Sequence, residues 1–169
     1  MHAITGNVPN SVATFKKIDH IAIAVKNLDE GISFYCNVLG FELVRRRAIR
    51  GAGTGMISAE LSHGGIMFVL CQGTEPDSQV SRLVDAYGPG VAHIALAVDQ
   101  IEEVEGSLAE RGMNFDTTII KGAGLSQLFS QRDPNSGLSF EFIERGAEGG
   151  FLEDNVNELF AQLEKSGSY

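Results

Sequence analysis

Two histidines stand in matched surroundings, His20 in the run IDHIAIAV (18–25) and His93 in VAHIALAV (91–98). Alternation along a strand puts His20 on one face with Ile18, Ala22 and Ala24, and His93 on one face with Val91, Ala95 and Ala97. Each imidazole therefore stands on a surface kept clear by alanines, with the larger aliphatic residues turned the other way. Either histidine alone would read as a structural residue, but the same placement in both copies favours metal ligation. A third candidate is Glu141, in the strand-like run SFEFIE (139–144), on a face with Ser139 and Ile143 and opposite Phe140 and Phe142. A carboxylate in such a strand needs a partner or a metal. The offset between the two histidines carries Glu141 back to Phe68, so a fourth equivalent position is expected to hold no ligand. Two imidazoles, one carboxylate and open positions make the facial triad of non-haem iron(II) sites. Zinc suits the same ligand types and stays open at this point.

The elements that must position these residues come from an internal repeat. IDHIAIAVKNLDEGISFYCNVLGFE (18–42) is echoed by VAHIALAVDQIEEVEGSLAERGMNFD (91–116), each reading as a strand, a helix and a new extended run. Capping-box spacing from Asn27 to Glu30 and from Asp99 to Glu102 predicts both helix starts, and Gly40 and Gly112 suit their ends. Three β-like runs follow each helix, at 41–47, 55–62 and 66–72, then at 114–120, 125–131 and 138–145. His63-Gly64-Gly65 and the stretch from Asp133 to Gly137 supply the matching turns. The reading is an α+β fold: two βαβββ modules, 16–73 and 90–146, packed as one domain over 16–165. A flexible lead-in (1–15) precedes them, and the linker holds a short helix near 79–87. A C-terminal helix over 152–165 follows, its apolar stripe either completing the core or forming a lid.

Composition narrows the classes. The chain has 169 residues and a net charge of −9, which argues against a nucleic-acid partner. No apolar run is long enough to span a bilayer, and the first residues lack a secretory signal's apolar region, so no membrane and a cytoplasmic setting are expected. Cys36 and Cys71 lie in apolar stretches and read as buried free thiols. The Arg45-Arg46-Arg47 run reads as a solvated strand edge rather than an anchor for an anion.

The runs IDHIAIAV, GPGVAHIALAV, QLF with SFEFIERG, and GGFLEDNVNELFAQLE resemble the vicinal oxygen chelate superfamily, the glyoxalase and bleomycin-resistance fold. Within it they are similar to the catalytic half of the 4-hydroxyphenylpyruvate dioxygenases. The resemblance implies iron ligands at His20, His93 and Glu141, and substrate-binding residues at Ser58, Gln127, Phe129, Phe151 and Asn155. Phe68 and Leu159 are expected as further pocket walls. Ser139 and Leu70 depart from the family pattern, so the substrate pocket differs more than the metal site. The implied function is an Fe(II)-dependent dioxygenase that oxidises a small 2-oxo acid with decarboxylation. Its partners would be that chelating acid and O2, with a homo-oligomer allowed but not required. An extradiol ring-cleaving dioxygenase and a non-enzymatic ligand- or drug-binding protein are the alternatives.

Overall fold

Residues with alternating apolar and small side chains begin each half of the chain, and each half runs from that strand through a helix to three further strands. The computed structural model describes residues 13–122, 124–146 and 153–166. In the first half β1 (Lys17–Ala24) leads to α1 (Leu28–Ser33), which continues as a π-helical stretch over Phe34–Val38. Then come β2 (Glu42–Arg50), β3 (Gly55–His63) and β4 (Ile66–Gly73). After α2 (Gln79–Tyr87) the second half gives β5 (Gly90–Ala97), α3 (Ile101–Glu110), β6 (Ile120–Gly122), β7 (Leu125–Phe129) and β8 (Ser139–Arg145). Helix α4 (Glu153–Ser166) comes last.

All eight strands form one mixed sheet in the order β2-β3-β4-β1-β5-β8-β7-β6. The seam is the antiparallel pair β1 and β5; each is flanked by the last strand of its own half, β4 or β8, in parallel. Residues of β2 and of β8 line the same cavity, so the sheet curls around it. The outer face carries α1 and α3, while α2 packs on Ala22, Ala24 and Cys71 of the other face. Leu28, Phe41, Leu61 and Leu70 are buried around α1, and Ile101, Val104, Leu108, Leu128 and Phe142 around α3. Cys71 is buried, whereas Cys36 is half-buried on the α1 side.

Local chemistry explains where the two halves depart from the repeat. Asn27 Oδ1 accepts from the backbone N–H of Glu30 at 3.0 Å, the expected cap of α1. Asp99 does not cap α3: Gln100 holds the N-cap position with no side-chain bond, and Glu144 Oε2 on β8 accepts from Ile101 N–H at 2.8 Å instead. The run at 114–120 does not form a strand of that length either. Only Ile120–Gly122 pairs as β6, preceded by an isolated bridge from Phe115 to Ser130. Upstream, Thr117 Oγ1 accepts from Phe129 N–H at 3.0 Å, and Thr118 N–H donates to Gln162 Oε1 on α4 at 3.1 Å. Side chains thus take the place of a ladder there.

The same register overturns the expectation for Phe68. Ala95 pairs with Glu141, while Ala22, the repeat counterpart of Ala95, pairs with Val69. The stretch between paired residues is one residue longer in the first half (22 to 69 against 95 to 141), and a shift of one residue reverses the face. Phe68 therefore points to the helix side, stacked on Phe41 with centroids 5.0 Å apart and edge-on to Tyr35 at 5.5 Å. Val69 lines the cavity in its place. A Phe68→Ala substitution should lower unfolding stability by about 2 kcal/mol or more, by analogy with other aromatic truncations. Metal stoichiometry should stay unchanged, as chemical denaturation and metal analysis of the same sample would show.

Candidate metal centre

Three adjacent strands bring the three ligand candidates together: His20 from β1, His93 from β5 and Glu141 from β8. His20 pairs with Ala95 and His93 with Ala22, so across the β1–β5 seam each imidazole faces a methyl group that leaves the rings room to converge. The Nε2 atoms of His20 and His93 lie 3.1 and 3.4 Å from Glu141 Oε2. One ligand atom from each residue falls within 4.8 Å of the other two. All three side chains are buried, at 3%, 9% and 1% relative exposure.

A set of supporting groups fixes them. A register shift between Ile18 and His20 re-aims the strand, and neighbouring Asp19 and His20 meet through Oδ1 and Nδ1 at 2.9 Å. Asp19 is itself held by Arg145, whose Nε and Nη2 each donate to it at 2.8 Å. This chain of bonds presents Nε2 of His20 toward the centre, the usual arrangement behind a ligating histidine. Gln127 Nε2 donates to Glu141 Oε1 at 2.7 Å, which leaves Oε2 to face both imidazoles. The edge of Phe129 meets the His93 ring, with centroids 5.0 Å apart and planes at 84°.

Electrostatics follow from this packing. Burial penalises the charged forms of His20 and Glu141, but their mutual attraction and hydrogen bonds outweigh it. The His20 imidazolium, also bonded to Asp19, is held up to about 9, and the Glu141 carboxyl is held down to about 2. Burial likewise raises Asp19, yet its bonds to Arg145 and His20 hold it well below the usual carboxylate range. His93 goes the other way, because burial dominates and keeps its ring neutral.

This donor set fits a divalent metal. Two imidazole nitrogens and one carboxylate oxygen converge in a buried site, each already oriented by a partner or a packed ring. A proton on His20 is the largest favourable charge facing the Glu141 carboxylate, so a bound cation would replace that proton.

The surrounding cavity has about 60 Å³ of interior space and is lined by Ser58, Gln127 and Phe129 beside the triad. Those three sequence expectations therefore come together here, and Phe68 does not. Phe151 lies outside the described residues, and the side chains of Asn155 and Leu159 are likewise not described. Sequence reasoning missed Asp19 and Arg145 behind His20, and Arg47, Glu60, Val69 and Cys71 in the cavity wall. The strand alternation of Ser58 and Glu60 could have signalled one of these. Arg47 corrects the reading of the arginine run: Arg46 pairs with Asp29 at the surface, while Arg47 turns inward.

Two outcomes follow for metal binding. Because the His20 imidazolium is held up to about 9, cation binding should release a proton below that pH, and apparent affinity should rise as pH increases toward it. Calorimetry in buffers of different ionisation enthalpy would measure the release. Asp19→Asn should weaken metal affinity about 10–100-fold, since it removes the charge that orients His20.

A protein-family model described as the Glyoxalase/Bleomycin resistance protein/Dioxygenase superfamily matches residues 17–142. Among curated proteins, the chain is 28% identical over 199 residues to a 4-hydroxyphenylpyruvate dioxygenase of Legionella pneumophila, covering 96% of this chain and 57% of that protein. It is also 28% identical over 186 residues to hemolysin VllY of Vibrio vulnificus, covering 88% of this chain and 52% of the relative. The chain thus spans about half the length of these relatives. Among solved structures, a triple mutant of 4-hydroxymandelate synthase from Streptomyces coelicolor superposes with a TM-score of 0.81 at 22% identity, over 95% of this chain and 57% of that one. Methylmalonyl-CoA epimerase from Mycobacterium tuberculosis gives a TM-score of 0.67 at 24% identity, over 81% and 91%. At those identities the structural likenesses speak for the fold. The family match over most of the sequence decides membership: this chain belongs to the Glyoxalase/Bleomycin resistance protein/Dioxygenase superfamily.

Proposed function

We propose that the protein is a non-haem iron(II)-dependent dioxygenase that oxidises a small 2-oxo acid with decarboxylation. The observation that carries this reading is the buried convergence of His20 Nε2, His93 Nε2 and one oxygen of Glu141. Iron(II) held by these three would supply open positions for a chelating acid and for dioxygen. The charge balance suits that role, since one carboxylate and two neutral imidazoles leave a divalent ion at +1, ready for an anionic chelator.

The chain's own residues do the remaining work. Asp19 and Arg145 hold the His20 ring, Gln127 holds the Glu141 carboxylate, and Phe129 packs against His93. Ile49, Met56, Val69 and Cys71 wall the cavity with apolar atoms. Ser58 and Gln127 are the polar contacts we assign to the substrate's oxygens.

The other activities of this fold are less well supported. A four-ligand isomerase needs a donor opposite Glu141, and Val69 stands there. An extradiol enzyme needs an acid–base histidine at the substrate. Of the two spare histidines, His63 sits at the surface end of β3, its Nδ1 2.9 Å from the Gly40 carbonyl, and His2 lies outside the described residues.

Protein purified without oxygen should contain about one iron per chain and should consume oxygen and release carbon dioxide with a member of a 2-oxo acid panel. His93→Ala should abolish both iron retention and turnover. Protein that binds no iron when reconstituted would overturn the proposal.

A further inference from the structure

Each candidate ligand histidine directly follows a residue that the β1–β5 seam skips. The register passes from Ile18–Leu96 to His20–Ala95, which leaves Asp19 out of the ladder, and from Ala22–His93 to Ile23–Val91, which leaves out Ala92. The pairing of β5 with β8 also begins only at His93. A skipped residue is a bulge: it re-aims the side chain beside it and interrupts the ladder that would hold the strand in place. An arginine secures each of these two points. Arg145 grips Asp19 with two nitrogens. Arg132, half-buried in the loop between β7 and β8, donates through Nη2 to the Ala92 carbonyl at 3.2 Å and through Nη1 to the Gly137 carbonyl.

The two imidazoles depend on this support differently. His20 is held at its ring, where Nδ1 meets Asp19. His93 Nδ1 is buried and has no hydrogen-bond partner among the described residues. A ligating histidine usually donates that N–H to an acceptor, which fixes the ring. For His93 the edge of Phe129 packs on the ring, and the rest of its aim depends on where the main chain sets its Cα. The loop's own shape does not call for Arg132. Asp133 already closes it: its Oδ2 accepts from Ser136 N–H, its N–H donates to the Leu138 carbonyl, and its carbonyl accepts from Gly137 N–H, each at 2.8 Å. The loop is thus a fixed post from which the guanidinium reaches across to β5.

Resting on the metal-centre reading above, we propose that Arg132 is the positioning residue of His93, as Arg145 is of His20. Its fork ties the carbonyl just before His93 to a carbonyl two residues before Ser139, where β8 starts. His93 pairs with Ser139, and Glu141 follows on the same face of β8. One guanidinium therefore sets the spacing between His93 and the strand that bears Glu141, at the end where their ladder begins. A planar fork suits the task, because donors held at a fixed separation fix the separation of the carbonyls they meet. A lysine carries the charge but has no such fork. Arg145 acts on its histidine through a carboxylate, whereas Arg132 acts through the peptide.

The test needs neither iron nor substrate. The proton–nitrogen correlation spectrum of the imidazoles is recorded on metal-free protein, with the rings assigned by single histidine substitutions. The same sample is then titrated with cobalt(II), followed by visible absorption. Arg132→Met should weaken cobalt(II) binding about tenfold or more, the usual cost of losing a group that orients a ligand. It should also shift and broaden the His93 ring signals more than those of His20. Arg132→Lys, the milder change should the methionine variant not fold, should show the same two effects. An arginine that only stabilises the fold would lower resistance to denaturant and leave both the cobalt(II) affinity and the His93 signals unmoved. That result overturns the inference, as does full recovery of both in Arg132→Lys, which would make charge alone the cause. If the unmodified protein binds no cobalt(II), the metal-centre reading fails. The ring spectra then decide alone, and a His93 signal that stays in place in Arg132→Met overturns the positioning role as well.

Discussion

A carboxylate buried to 1% exposure between two imidazoles is the constraint on which the rest of the molecule turns. Glu141 could not remain charged in such a place without compensation. The structure supplies it from several directions: His20 and His93 at one oxygen, Gln127 at the other, and Asp19 with Arg145 behind His20. These groups come from β1, β5, β7 and β8, and they meet only when the two halves share one sheet. The polar centre thus requires the β1–β5 seam, and the seam is what each half contributes to the other.

The helices α1 and α3 bury the outer aliphatic face of the sheet, while β1 and β5 present alanines beside the two histidines on its inner face. Helix α4 then ties the halves together from outside the repeat. Its Phe160 is buried with Ile49, and Glu164 accepts from the backbone of Ala52 and Thr54 in the β2–β3 turn. Its Gln162 accepts from Thr118 on the approach to β6. One helix therefore fastens the tip of the first module to the edge of the second, which holds the β2–β3 turn end of the wall that carries Arg47 and Glu60.

Much of this was legible in the sequence. The repeat and its alternation gave the paired modules, the linker helix and the convergence of His20, His93 and Glu141, because a period of two is a strong signal when it occurs twice. What was not legible depends on single-residue register. A repeat offset cannot reveal one extra residue between β1 and β4, so Phe68 was expected where Val69 stands. Nor can alternation foresee that a bulge lets Asp19 turn back to His20, or that Glu144 reaches from β8 to cap α3. The inward turn of Arg47 was hidden for a similar reason: three consecutive arginines look alike until their strand is paired.

The register offset that puts Val69 opposite Glu141 also divides labour between the halves. The second module supplies two of the three candidate ligands and the residues that brace Glu141 and His93. The first supplies one ligand on β1, and its remaining strands only wall the cavity. Side chains on β2, β3 and β4 can therefore change the cavity wall without changing a candidate ligand. The internal duplication thus keeps the candidate ligand set apart from three of the four strands of the first copy, which shape the cavity without contributing a ligand atom.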